Sequence, residues 1–394
     1  MPPLDERRRA PLSRRTALGR LAALGSTPWA AAAWAQDDNE LMGYAPRAKA
    51  PAGYPAAYPT TVRAAEDEGQ LSVHSTTDER VAAPLVADFQ RLYPRVSVNY
   101  EDLNSTELVH RFIAENELGR EAADVLWSSA MDQIMSLALG GQALAYESPE
   151  RSHLPAWAQW QNRLWATTYE PIVFACHKPT LPESEAPRSH AALGPWLARA
   201  GAAGNAPGSV ISYDIQKSGL GYFLAAQNAA ADADAFWAAA QGLGASRARL
   251  LLTTDAMVRQ IADGRARFGM NLLGAYTLAQ APKLPALGVI FPEDYTLVIS
   301  RLLLINARAA HPNAARLWVD YVLSQRGQSV MASSARLHAL RDDAQGEVTG
   351  AALKKRLGER ARPVALGPEL AAPLANAAYR DFILRWRAAL GRPR

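Results

Sequence analysis

The chain has 394 residues, 49% apolar and 20% charged, a balance that suits a globular protein with more than one core and excludes a disordered or fibrous chain. Its pI near 9.2 and formal charge of +4 would suit a nucleic-acid partner, but six arginines and two acids before Gln36 account for the whole excess. A neutral remainder offers no basic face to phosphates, so no nucleic-acid partner is expected.

Residues 1–35 carry the parts of an export signal: an arginine-rich start, an apolar run from Ala17 to the alanines before Trp34, and Ala33-Trp-Ala35 as a small-x-small cleavage site. Ser13-Arg-Arg-Thr-Ala-Leu18 resembles a twin-arginine signal, with Ala17 where Phe is usual and Gly19 where Lys often follows. Gly25, Ser26 and Pro28 interrupt the apolar run and weigh against a membrane-spanning helix. No cysteine lies nearby to take a lipid, so a soluble periplasmic protein of a Gram-negative bacterium is expected. Residues 36–60, rich in Pro and Ala without periodicity, read as an extended leader.

The first globular stretch alternates strand and helix. Leu71-Ser-Val-His-Ser-Thr-Thr-Asp78 is an alternating strand that runs into hydroxyl residues and an acid. Such a turn either caps the following helix or leaves its first amides for a bound anion. Leu85, Val86, Phe89, Leu92 and Tyr93 then recur at helical spacing and stop at Pro94. Val96, Val98 and Tyr100 form a strand, and Asn104-Ser-Thr-Glu107 is a capping box ahead of a helix burying Leu108, Phe112 and Ile113. Asp124-Val-Leu-Trp-Ser-Ser129 repeats the pattern of strand and hydroxyl turn. Strands joined by helices in this way make right-handed parallel crossovers, with ligands at the carboxyl ends of the strands.

Trp157, Trp160 and Trp165 read as packing residues ahead of the strand Tyr169–Lys178. Cys176, the only cysteine, can form no internal disulfide and reads as a buried, inert thiol, because its neighbour His177 points to the opposite face of the strand. Val210–Tyr213 leads to Ser218-Gly-Leu-Gly221, and Leu250–Leu252 to the cap Thr253-Thr-Asp255. Phe268–Gly274 is a strand reaching toward Tyr276. Thr296–Ile305 is an apolar run long enough to pass between lobes, and Pro312 opens a helix carrying Leu317, Trp318, Tyr321 and Val322. The remainder is helical to Trp386 without a usable motif.

Taken together, Val73–Asp78, Phe89–Tyr100, Ala123–Ser129, Tyr169–Phe174, Ser212–Gly219, Pro292–Leu297 and Pro312–Gln328 resemble the extracellular solute-binding proteins of ABC importers. The likeness is to the branch containing ferric-iron, sugar-phosphate and phosphonate binders, and it covers about Thr61 to Gln328. It implies an α/β, two-lobed periplasmic-binding-protein fold of type II, with parallel-sheet lobes joined by crossing strands at Glu170–Lys178 and Tyr295–Ile305. Residues 61–170 plus 300–394 would form lobe 1 and residues 171–299 lobe 2. The implied partners are a small anionic solute and an inner-membrane ABC permease with its ATPase, and the protein is expected to be a monomer.

The candidate ligand contacts are Ser75, Thr76, Thr77, Asp78, Ser128, Ser129, Asp214, Ser218, Gly219, Tyr276, Asp294 and Tyr295. Tyr276 and Tyr295 stand equally for cleft or core, and Glu170, Asp214 and Asp294 suit ligand hydroxyls, an amine or hinge amides. Five or six hydrogen bonds to a charged ligand gross roughly 8–18 kcal/mol, against the roughly 8 that micromolar affinity requires net of association costs. Hydroxyls and amides therefore suffice for an oxyanion that also carries hydroxyl or amino groups, such as a sugar phosphate or phosphonate.

Iron binders of this branch place a His after the first strand and adjacent tyrosines after a later one. Those positions fall here on Asp78 and on Leu272 and Leu273, which offer a ferric ion too few hard oxygens. No metal or cofactor is expected, a ferric-iron binder of the same fold being the alternative. His74 and His177 lack a nucleophile, base and acid set, so no enzyme is expected. A sensor docking on a membrane receptor would share the fold.

Overall fold

The apolar strand Leu71–Val73 and the helix after it set the pattern of the first lobe. The structure, a computed structural model, describes residues 54–391 apart from 120–121 and 203–205. The expected export signal and most of the leader lie outside those residues. Among the described residues no helix is long and apolar enough to cross a membrane.

Strand β1 (Gln70–Ser75) pairs in parallel with β2 (Ser97–Asp102) and β3 (Val125–Ser128), through α2 (Glu79–Leu92) and α3 (Ser105–Glu117). Helix α2 buries Ala82, Leu85 and Phe89 along one face and ends at Tyr93, since the residue before a proline is disfavoured as helix. Before β1, helix α1 spans Tyr58–Glu68, so the extended leader ends earlier than expected. The Tyr58 hydroxyl donates to Asp320 at 2.9 Å and fixes α1 against the helix α10 (Pro312–Leu323).

Within the first sheet the expected parallel pairing holds for this trio. The first sheet has the order β2-β1-β3-β12-β5-β4, in which β12 (Leu302–Ile305), β5 (Leu164–Ala166) and β4 (Gln159–Trp160) are antiparallel additions. Strands β4 and β5 join through Gln161, Asn162 and Arg163, with Gln161 and Asn162 at positive φ and Arg163 N donating to the Trp160 carbonyl at 2.9 Å, a tight hairpin turn. A hairpin needs no crossover helix, so this edge cannot be parallel.

The second sheet runs β13-β11-β6-β9-β7-β8, with β10 (Leu287–Ile290) also on β6. Its strands β7 (Val210–Tyr213), β8 (Arg249–Leu251) and β9 (Phe268–Leu273) are mutually parallel, and β6 (Glu170–His177) is antiparallel to β9, β10 and β11 (Thr296–Ile299). Helices α5 (His190–Ala202) and α7 (Ala233–Ala245) pack on this lobe at very close range. A Cβ on Gly242 would lie 2.5 Å from the Leu197 Cβ.

The chain passes between the sheets through Thr167–Tyr169 and through Ser300–Arg301, and once more near its C-terminal end. The second crossing falls inside the expected run Tyr295–Ile305, in the break between Thr296–Ile299 and Leu302–Ile305, whereas the first precedes the expected Glu170–Lys178, which lies wholly in the second sheet. The two segments bond each other: Thr167 N donates to the Arg301 carbonyl at 3.0 Å, and Arg301 N to Thr168 Oγ1 at 2.9 Å.

The C-terminal segment does not follow the expected assignment of 300–394 to the first lobe. After α11 (Gln325–Val330) and α12 (Gly350–Leu357), β13 (Ala361–Pro363) pairs with β11 of the second sheet. Helix α13 (Asn376–Ala389) then sets Trp386 against Phe236 of α7, with ring centroids 6.0 Å apart. A three-residue strand and a helix without a motif carry no sheet address in the sequence.

Candidate ligand-binding cleft

Each parallel strand ends where its sheet edge opens, and the turns that follow meet in one cavity of about 230 Å3. The first sheet contributes Thr76 and Asp78 after β1, Asp102 to Ser105 after β2, and Ser129 after β3. From the second sheet come Ser218 after β7 and ahead of α6 (Gly219–Ala231), Thr253 to Asp255 around the start of α8 (Thr254–Ala262), and Leu273 with Tyr276 at the start of α9 (Gly274–Gln280).

Several of these turns are helix caps. Asn104 accepts from Glu107 N at 3.0 Å, Ser218 from Gly221 N at 3.1 Å and Thr253 from Ala256 N at 3.2 Å, and Asp102 accepts from Glu79 N, the first amide of α2, at 3.0 Å. The positive ends of α2, α3, α6 and α8 therefore converge on the gap.

Of the twelve residues expected at the site, Thr76, Asp78, Ser129, Ser218 and Tyr276 line the cavity. The other seven do not. Ser75 is fully buried, donating to the Trp127 carbonyl at 2.8 Å and accepting from Thr77 N at 3.0 Å. Thr77 accepts from Arg301 Nη1 at 2.7 Å, and Ser128 accepts from Ala130 N at 3.2 Å. Asp214 accepts from Gln216 N at 3.1 Å inside its own turn, and Gly219 is buried against Gln133.

Asp294 accepts from His190 N at 2.7 Å. Burial would raise its pKa, but the bonds from His190 hold it down at about 2. Tyr295 stacks on His190 at 4.0 Å and donates to Asn228 at 2.9 Å. Successive residues of a turn point in different directions, so a run of hydroxyls cannot all face one gap. Residues absent from the expectation are Asp102, Asn104, Ser105, Tyr213, Thr253, Thr254 and Asp255. Asn104 and Thr253 were already legible as caps, and β2 must open on the same edge as its neighbour β1.

The electrostatics are mixed. Three carboxylates, Asp78, Asp102 and Asp255, line the cavity, and among the described residues no lysine or arginine does. Asp255 is paired with Arg80 at 3.0 Å and with Arg259. Burial raises the Asp78 carboxyl above the usual range, with Arg80 opposing. Among the described residues no group of three or more His, Cys, Asp or Glu side chains is placed to hold a metal ion.

Bonds cross the gap. Leu220 N donates to Ser105 Oγ at 3.0 Å, Thr106 Oγ1 to the Lys217 carbonyl at 3.2 Å, and Asp78 N to the Tyr276 hydroxyl at 3.2 Å. Next to Tyr276 lies a fully buried pair, Arg301 Nε on Glu170 at 2.7 Å, with the guanidinium 5.2 Å from the Tyr276 ring centroid. Burial alone would lower the pKa of Arg301, but Glu170 outweighs it and keeps the guanidinium charged. Cys176, away from the gap, is buried, and burial pushes its thiol up to about 11.

The sequence pattern of the bacterial extracellular solute-binding proteins matches residues 74–329. The crystal structure of the substrate binding protein of an ABC transporter from Agrobacterium tumefaciens is 33% identical, superposes with a TM-score of 0.77, and aligns over 82% of this chain and 94% of its own. Apo ferric ion-binding protein A from Pasteurella haemolytica aligns at 18% identity and a TM-score of 0.65, over 83% of this chain and 99% of its own. AfuA from Actinobacillus pleuropneumoniae, bound to fructose-6-phosphate, aligns at 18% identity and 0.66, over 82% and 99%. The last two share the fold. Among curated proteins no sequence matches this chain.

Proposed function

The chain belongs to the bacterial extracellular solute-binding proteins, the capture components of ABC transporters, and we propose that its cleft takes a small oxyanion that also carries hydroxyl or amino groups. It would do so in the periplasm and deliver the solute to an inner-membrane permease and its ATPase. Sugar phosphates and aminoalkylphosphonates belong to that ligand class. The supporting observation is the convergence of four helix N-termini and a set of hydroxyls on a gap that also holds three carboxylates. The N-termini and hydroxyls suit the oxyanion. The carboxylates suit donors elsewhere on the ligand and oppose a bare phosphate.

A second reading is a purely cationic amine. It is favoured by the absence of lysine and arginine from the cavity-lining residues.

Isothermal titration with a hexose phosphate, an aminoalkylphosphonate, a linear diamine and ferric citrate separates these readings. One-to-one micromolar binding of either of the first two supports the proposal. Binding of the diamine alone favours the second reading, and binding of ferric citrate alone overturns both.

A further inference from the structure

Helix α9 has a second cavity on another face. Tyr276 faces the cleft, whereas Ala275, Leu278 and Ala279, spaced along a separate face of the helix, line a cavity of about 200 Å3 that shares no residue with the cleft. Its opposite wall comes from residues 336–356.

Two side chains there carry unused capacity. His338 is 6% exposed, and its buried Nδ1 has no hydrogen-bond partner. A buried polar atom in that state costs stability unless something satisfies it. The Arg356 guanidinium lies 4.0 Å over the Phe291 ring and, among the described residues, has no carboxylate partner. The one acid in the lining, Glu347, is paired with Arg336. A guanidinium fork beside a buried imidazole recognises a planar oxyanion, and Leu278, Phe291 and Leu353 leave the rest of the space apolar.

We propose that this cavity is a second small-molecule site, taking an organic carboxylate whose head meets Arg356 and His338 and whose short body lies on Phe291, Leu278 and Leu353. The volume of about 200 Å3 suits a small organic acid. The apolar walls favour an organic acid over inorganic phosphate. The site is independent of whatever the cleft binds.

The test is the imidazole 1H–15N spectrum of the full protein, with butyrate, succinate and inorganic phosphate as probes and His338→Gln to assign the signal. The expected result is a saturable shift of the His338 signals with butyrate or succinate at millimolar concentration. Arg356→Gln should weaken it at least tenfold, while Arg356→Lys retains part of it. Asp255→Asn, in the cleft, should leave it unchanged. Bound carboxylate should also move the His338 titration to higher pH, because a nearby anion favours imidazolium. No shift with either carboxylate, a shift with phosphate alone, or an equal response in Arg356→Gln overturns the proposal.

Discussion

At Arg301 the guanidinium and its partner Glu170 are both wholly withdrawn from solvent, and the third bond, to Thr77, ties the crossing segment to the turn after β1. Removing one partner of such a pair leaves an uncompensated charge at a cost of roughly 3–5 kcal/mol. Arg301→Ala should therefore lower stability by about that amount, and pairing it with Glu170→Gln should recover part of the loss in urea melts. A loss no larger in the single variant than in the double would show that the pair is not the source.

Asp132, in helix α4 (Met131–Leu139), shows the opposite economy. Its Oδ2 is buried without a partner, and burial raises its pKa to about 7. The folded state thus holds a proton that the unfolded chain releases near the ordinary aspartate value of about 3.9. Stability from this group is fully present below that value and is lost as pH rises through about 7. Asp132→Asn should be more stable than the natural chain at pH 8, by at most roughly 4 kcal/mol at about 1.36 per unit, with the gain shrinking as pH is lowered. A gain that is absent at pH 8 or constant with pH contradicts this.

Among elements, the strand-to-helix turns make the cleft, and they were the most readable part of the sequence. In Asn104-Ser-Thr-Glu107 the Asn104 side chain caps α3 as its spacing announces, accepting from Glu107 N, while Asn104 Nδ2 donates to the Glu107 carboxylate at 3.0 Å. Asn104→Ala should cost about 1 kcal/mol of stability through the lost cap, measured by thermal melts. A stability unchanged by the substitution would show that the cap is not holding α3.

What the sequence could not show was direction. Thr76 faces the cavity while Ser75 beside it is spent on the Trp127 carbonyl, because the strand's last residue still belongs to the sheet. The antiparallel edge was equally hidden, since Gln161-Asn162 lacks the glycine that usually marks so tight a turn.

For the molecule as a whole, alternating strands and helices indicated an α/β first lobe, the resemblance to the solute-binding proteins implied the second, and the long apolar run Thr296–Ile305 marked a passage between them. The return of residues 361–391 to the second sheet was not legible. It depends on partners more than sixty residues away, Val298 for β13 and Phe236 for α13. Across the gap, the Arg80–Asp255 pair, with Arg80 66% exposed, contributes under about 1 kcal/mol. The buried Ser105–Leu220 bond is the firmer link.

The central claim is that a small solute is enclosed between the two sheets. The most direct measurement is the radius of gyration by small-angle scattering as the ligand identified by calorimetry is titrated to saturation. Enclosure predicts a smaller radius for the saturated protein. A radius that stays constant while calorimetry reports full occupancy would place the solute somewhere other than the cleft.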